Sequence, residues 1–262
     1  MKRKGFKGIL LLLSMLFALT GCSVSEATQH GMAVDTIQTE DVLLRVDFLN
    51  VGQADCALLS TKGHYMVIDG GNNGDADTIL SYLEGQGVEK LDAVVGTHPH
   101  EDHIGSLDAI INHFDVDAVY MPKIMHTSKT FEDVLDAVAN KGLKIKSPSP
   151  GDTIDFNGLE IEVLGPQREY KDFNNNSIVL KVNAGETAFL FTGDAEETAE
   201  KDILQAGYDL QADVLKVGHH GSSTSSSQAF LQAVKPKYAV ISVGVGNSYH
   251  HPEEEALQRL QS

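Results

Sequence analysis

The patterned region of the chain opens at about Val42. LLRVDFLNV, CALLS and YMVID are short runs rich in apolar and β-branched residues, parted by glycine and polar turns, and they predict hairpin-type strands. In DADTILSYLEGQG, Ile79, Leu80 and Leu83 recur at helical spacing. LDAVVG then predicts a strand, GSLDAIINHF a helix, DAVYMP a strand, and SKTFEDVLDAVANKG a helix stopped by its glycine. The second half repeats the style. LKIKSP, DTIDF, LEIEVLGP, SIVLKV and AFLFTGD are strand-like, and AEETAEKDILQAG is a helix with the acidic first turn that a helix dipole favours. ADVLKVG and YAVISVG are buried strands on either side of SSQAFLQAV, a helix with a serine cap, and HPEEEALQRL is a further helix. This order predicts an α/β fold of two mixed sheets packed face to face with helices outside, so that strand ends from both halves meet along one edge.

The first 41 residues carry a different pattern. MKRKGFKG holds four basic residues, Ile9 to Leu19 is almost wholly apolar, and LTGC follows. The apolar run is too short to span a bilayer comfortably, which takes about 20 residues. The small residues ahead of Cys22 resemble the bacterial lipobox, which implies cleavage before Cys22 and a lipid on its sulfur; a plain secretory signal and a single anchor helix are the alternatives. Residues 1–21 are therefore expected to be a lipoprotein signal peptide and 22–41, polar and patternless, a flexible tether. Residues 42–262 would form the folded domain, extracytoplasmic and lipid-anchored to the cell membrane.

Charge and cysteine content narrow the partners. The formal net charge is −17, and residues 1–21 carry Lys2, Arg3, Lys4 and Lys7 with no acid, so the remainder stands at −21. Such a surface repels nucleic acid and anionic membranes unless a basic groove or bound cations intervene. With Cys22 lipidated, Cys56 is left alone and no disulfide framework is possible. A monomer is expected.

The chemistry is concentrated in THPHEDH, Thr97 to His103, directly after LDAVVG. A strand leading into a loop can turn His98 and His100 to one side while Asp102 and His103 approach from the other, which makes two adjoining sets of imidazole and carboxylate ligands. Two more clusters stand at strand ends: Asp194 in FTGDAEE, and His219 and His220 in VGHHGS. Alone, Asp194 reads as a helix N-cap and the histidine pair as solvated or core residues. The coincidence of three such clusters favours metal ligands.

HxHxDH, TGD and HHGS, behind VGQADCALL and IDGG, resemble the metallo-β-lactamase fold superfamily, in the branch of ComEC-type competence hydrolase domains and phosphorylcholine esterases. The resemblance runs from about Leu43 to Arg259 and implies an αβ/βα sandwich with the site between the sheet edges. It implies two divalent transition metal ions, zinc or manganese. His98, His100 and Asp194 would hold one, and Asp102, His103, Asp194 and one of His219 and His220 the other. Asp69 of VIDGG would hold the HxHxDH loop by hydrogen bonds, with an ordinary turn-forming aspartate as the alternative. NSYHHP matches the family's N-x-Y-x-H-P and places His251 at the rim beside Tyr249, while Ser222 of HHGS joins the substrate or supporting contacts.

Several positions depart from the family's pattern. Ala54 replaces the glycine of GQGD ahead of Asp55, so an altered local turn is expected. FNNNSIVLKV stands where many members carry a further histidine; Asn176 would be a weak ligand or a substrate contact, with a polar turn as the alternative. Ser223 takes the place of a basic residue, and Lys216 reads as a lysine stem on a partly exposed strand. His250 is an extra, and His30, His64, His113 and His126 read as surface residues. Relatives continue past HPEEEALQRL into a final strand or hairpin, so the chain is expected to lack that piece or to be truncated.

Two cations about 3.5 to 4 Å apart would bind a shared water, lower its pKa towards about 7, and neutralise charge developing on a phosphoryl or carbonyl oxygen. Asp102 would orient the bridging hydroxide or accept its proton, and His251 or Tyr249 would donate to the leaving oxygen. The expected activity is hydrolysis of a small-molecule or cell-envelope phosphoester, a phosphodiester first. A ComEC-like DNA nuclease is an alternative that the charge and Ser223 disfavour. A non-catalytic surface binding lipoprotein of the same fold is another, and a lactonase or other carboxylic ester hydrolase stays open.

Overall fold

A computed structural model describes residues 43–262. The expected signal peptide, tether and lipidated Cys22, and His30, lie outside the described residues. In the first half, β1 (Arg45–Phe48), β2 (Ala57–Thr61) and β3 (His64–Ile68) form an antiparallel meander. Helix α1 (Ala76–Gly85) crosses to β4 (Lys90–Leu91) and β5 (Ala93–Val95), and β5 pairs parallel with β3. Helices α2 (Glu101–Ile104) and α3 (Leu107–His113) lead to β6 (Asp115–Val116) and β7 (Val119–Tyr120), and α4 (Lys129–Asn140) leads to β8 (Ile145–Lys146). The sheet runs β1-β2-β3-β5-β7-β8, with β4 and β6 paired to each other beside it.

The second half repeats that plan. β9 (Thr153–Phe156), β10 (Leu159–Gly165), β11 (Val179–Ala184) and β12 (Thr187–Phe191) are antiparallel neighbours. Helix α5 (Glu197–Ala206), β13 (Val214–Lys216), α6 (Gln228–Val234) and β14 (Tyr238–Val240) then add parallel strands, and α7 (Glu254–Gln261) follows. The order is β14-β13-β12-β11-β10-β9.

Strand periodicity of two decides which core each side chain joins. Leu59, Met66, Ile68, Ala93 and Val95 meet Ile161, Val163, Leu180, Val182 and Phe191 between the sheets. Their alternates Leu58, Val67 and Val94 pack under Ile79, Leu83, Ile110 and Val134 of the first helical layer. On the far side, Leu164, Val179, Leu190 and Leu215 lie under Ile203, Phe230 and Val234. Four layers result, helix, sheet, sheet, helix, and the parallel strands of both sheets end at the same edge.

The expected serine cap on α6 is present, Ser227 accepting from the Phe230 amide, and Ser128 does the same for Phe131 on α4, where no cap was expected. YAVISVG, expected as a buried strand, is strand only at Tyr238–Val240 and lies at the sheet edge with Tyr238 exposed; beyond it the Gly244 amide turns aside to donate to the Gln53 side chain. Among the described residues, no helix is long and apolar enough to cross a membrane.

Candidate metal centre

The turn after β3 and the loop after β5 are joined by one carboxylate. Asp69 has φ 61°, and its Oδ1 accepts from the Thr97 amide at 2.7 Å while its Oδ2 accepts from the Thr97 hydroxyl at 2.8 Å. The same Oδ2 lies 2.8 Å from Nδ1 of His103. A carboxylate on Nδ1 sets the tautomer of the ring and leaves Nε2 as a ligand atom. THPHEDH, read as an open loop, becomes helical halfway: extended His100 precedes α2, and the His103 and Ile104 amides donate to the His100 carbonyl at 3.1 and 3.0 Å. That turn carries Asp102 to within 3.3 Å of His220, while the His103 ring stays 4.1 Å from the ring of His98.

Asp194 stands at the end of β12, held by its amide to Ser177 Oγ at 3.0 Å; the N-cap of α5 is Glu196, so Asp194 is free for other work. Its Oδ1 is 3.2 Å from His103 Nε2, and its Oδ2 is 3.8 Å from Nε2 of His98, of His219 and of His220. His98 Nε2 approaches His100 Nδ1 at 3.0 Å, and His220 Nε2 approaches Asp102 Oδ2 at 3.3 Å. Three groups have ligand atoms that all lie within 4.8 Å of one another; one is Asp55, Asp69 and His103, and two include cleft residues: His98, His103 and Asp194, and Asp102, His103 and His220. His103 belongs to all three. His103 Nε2, His220 Nε2 and Asp194 Oδ1 are buried without a hydrogen-bond partner. Buried polar atoms left without partners are costly unless an ion or water joins them, so this donor set fits the two cations implied by the family.

The charges support that reading. Burial, then His103, pushes the His98 pKa well below its ordinary value, which keeps that ring neutral, with a nitrogen lone pair open to a cation. Burial also opposes charge on His103, but Asp194 and Asp69 on its two nitrogens raise it well above the usual range. Burial works against the Asp194 anion, yet His103 and His220 hold it well below the ordinary carboxylate value. Asp102, against its own burial, is held down to about 2 by the His220 ring 3.3 Å away and by the neighbouring His103.

His219 and His220 sit at φ 49° and 53° within a 3-10 turn over Gly218–Gly221. Left-handed backbone at two successive non-glycine residues costs about 1–3 kcal/mol each and persists at sites where the surroundings enforce it. The Glu253 amide donates to the Gly221 carbonyl, Ser223 donates to Glu253, and Arg259 of α7 donates to the carbonyls of Ser223, Ser225 and Ser226. His220 is the buried one, with Nδ1 on the Ser242 carbonyl at 3.0 Å; His219 lies beside Glu196 at the wall of the site. Geometry thus groups His220, not His219, with Asp102 and His103.

The profile of the Metallo-beta-lactamase superfamily matches residues 49–245. The chain belongs to the metallo-beta-lactamase superfamily. It is 32% identical over 235 residues to ComE operon protein 3 of Bacillus subtilis (strain 168), covering 82% of this chain and 30% of that protein. It is also 32% identical over 216 residues to Competence protein ComA of Neisseria gonorrhoeae, covering 81% and 29%. The chain thus spans about a third or less of these relatives, which belong with the ComEC-type branch. Among solved structures, the metallo-beta-lactamase fold protein YhfI from Bacillus subtilis has a TM-score of 0.55 at 13% identity, over 82% of this chain and 92% of that one. Human tRNase Z, short form, has 0.50 at 12%, over 76% and 92%. These two likenesses show the fold.

On this superfamily scaffold the candidate ligands open on a cleft of about 470 Å³ lined by Gln53, Asn72, His100, Glu101, Asp102, Asp194, His219, His220, Tyr249 and His251. His251 is where expected, its Nδ1 3.5 Å from the Gln53 amide nitrogen, and Tyr249 stacks on it at 5.7 Å. Packing decides three further expectations, two of which need correction. Asn176 is neither ligand nor substrate contact: its amide nitrogen donates to the Tyr170 carbonyl at 2.9 Å and its oxygen accepts from the Tyr170 amide at 3.1 Å, which closes the NNN turn. Of the two roles expected of it, Ser222 takes the supporting one, facing Thr224 at 3.0 Å and Glu253 at 3.3 Å. Lys216 is not a partly exposed stem; it is buried and ion-paired to Asp55 at 2.7 Å.

Other residues escaped the sequence reading. His126, read as a surface residue, is instead half-buried, edge-on to Phe173 at 4.6 Å and 6.4 Å from the His100 ring. Gln53 of VGQADCALL lines the cleft, and Glu253 and Arg259 of HPEEEALQRL brace the HHGS segment. Their segments were legible but these roles were not, since each acts on main chain or on a ring far away in sequence.

Proposed function

We propose that this centre hydrolyses a phosphoester, a phosphodiester before others, at the outer face of a membrane to which lipidated Cys22 ties the domain. The carrying observation is the pair of imidazole and carboxylate groups that share His103 and open on one cleft. Two bound divalent cations, zinc or manganese, would supply Lewis acidity towards a phosphoryl oxygen and would lower the pKa of an attacking water. His98, His103, Asp194, Asp102 and His220 would hold them, with His100 at the mouth. Asp102 lines the cleft and is held ionised, so it orients the attacking water by accepting its hydrogen bond. The Gln53 amide donates to Nδ1 of His251, which leaves the ring proton on Nε2 for the leaving oxygen; Tyr249 offers a second donor.

Among the described residues the cleft lining holds no lysine or arginine and three acids. That favours a small substrate with one phosphoester over a polyanion tracked by cations. Met125, Val245 and Tyr249, on the loops that border the cleft, are 75%, 108% and 65% exposed, an apolar rim that suits a substrate at a lipid surface. Purified protein of measured metal content, given a phosphomonoester, a phosphodiester, phosphorylcholine and a lactone in parallel, should turn over the diester fastest and only when loaded. Unimpaired turnover by chelated protein would sink the proposal.

The competence and recombination proteins among the relatives favour one second reading, cleavage of DNA. Cutting of single-stranded DNA with Mn²⁺ that falls steeply with salt would support it; a flat salt response would count against it.

A further inference from the structure

Among the described residues, Lys216 is the one lysine or arginine paired with any of Asp55, Asp69, Asp102 and Asp194. It ends β13, and its Nζ lies 2.7 Å from Asp55 Oδ2 and donates to the Val217 carbonyl at 3.0 Å, with both partners buried. Asp55 comes from the other half of the sandwich, in the loop before β2. Its amide donates to the Asp102 carbonyl at 3.0 Å and its carbonyl accepts from the Gly71 amide at 2.8 Å, so its main chain braces both the HxHxDH segment and the turn after Asp69. Its Oδ1, buried and otherwise without a partner, lies 3.5 Å from His220 Nδ1.

A buried ion pair seldom adds net stability, because desolvation offsets its attraction. Its retention beside a ligand set calls for another role. We propose that Lys216 is a positioning residue for the Asp102, His103 and His220 metal position. It neutralises Asp55 and, through Asp55, fixes the segment bearing Asp102 against the ring of His220. The proposal rests on the metallo-hydrolase reading above.

Physics gives two accounts of Lys216 with opposite signs. If it acted only as a nearby positive charge, its removal would let divalent cations bind more tightly. If it positions ligands, its removal weakens one of the two ions, by about 10- to 100-fold for a supporting contact. The test is calorimetric titration of metal-stripped full chain with Zn²⁺ in the presence of a competing chelator, comparing wild type with Lys216→Met. The expected result is two ions in both proteins, the second bound at least about tenfold more weakly in the variant and the first changed by less than about threefold. Equal or tighter binding of the second ion overturns the proposal.

Stranding Asp55 without its partner can unfold the variant, so Asp55→Asn/Lys216→Met, which leaves no buried charge unpaired, is measured alongside. It too should bind the second ion at least about tenfold more weakly, and wild-type affinity there also overturns the proposal. No turnover is read. Wild-type chain that takes up two ions with no effect of either variant overturns only the role of Lys216, whereas wild-type chain that takes up none overturns the metallo-hydrolase reading as well.

Discussion

Asp69 Oδ2 lies 2.8 Å from Nδ1 of His103, with both side chains buried, and this contact joins the end of β3 to the helical turn that carries two candidate ligands. Asp69→Ala strands the His103 ring and the Thr97 amide, so it should cost about 3–5 kcal/mol. Urea unfolding of metal-free protein measures this, and a loss under about 1 kcal/mol would refute the bracing role.

His98→Ala and Asp194→Ala each remove a proposed metal ligand. Metal content measured after gel filtration should fall with turnover in both variants. In wild type, ions present at 100 times their Kd stabilise the fold by about 2.7 kcal/mol, so a chelator should lower Tm measurably; an unchanged Tm would contradict metal binding.

Gly105 follows α2 with ordinary helical torsions, yet a Cβ there would overlap the main chain of Asn72 and Asn73. Its amide donates to the Gly71 carbonyl at 2.8 Å, and Ser106 Oγ donates to the Asn72 carbonyl at 2.6 Å. Gly105→Ala must therefore push the two loops apart, with an expected loss of about 1–3 kcal/mol or more. A Tm within a degree of wild type would show that the approach is looser than described.

Burial, with Asp69 nearby, pushes the Cys56 thiol well above its ordinary pKa. Because the thiolate is the nucleophile, Cys56 should resist iodoacetamide at pH 8 in the folded state and react in urea. Mass spectrometry of the peptide that carries it reads the outcome, and rapid native labelling would disprove the burial.

The chain has no tryptophan, so Val245→Trp places a lone reporter on the cleft rim. If the rim meets lipid, its emission should shift to the blue on neutral phosphatidylcholine vesicles while Tyr238→Trp, exposed on an outer strand, stays put. Equal responses at the two positions would remove the rim from the functional reading.

Element order and the strand-end positions of His98, Asp194 and His220 were legible in the sequence, because apolar periodicity and glycine punctuation are local signals. HxHxDH could be read as metal-seeking for the same reason, since its donors crowd into six consecutive residues. The helical turn α2 inside that motif was not legible, because it depends on amides capped by His100 and on the close approach of Gly105 to Asn72.

What the sequence by itself determined was the layered α/β architecture, the family, and the kind of atoms the site offers. Only the tertiary structure decided that His220 rather than His219 faces Asp102, that the Asn176 amide closes its own turn, and that Lys216 lies buried on Asp55. The reason is physical: periodicity states which side of a strand a residue takes, whereas the partner of a buried polar group is set by whichever complementary atom the other half of the sandwich brings within hydrogen-bonding reach.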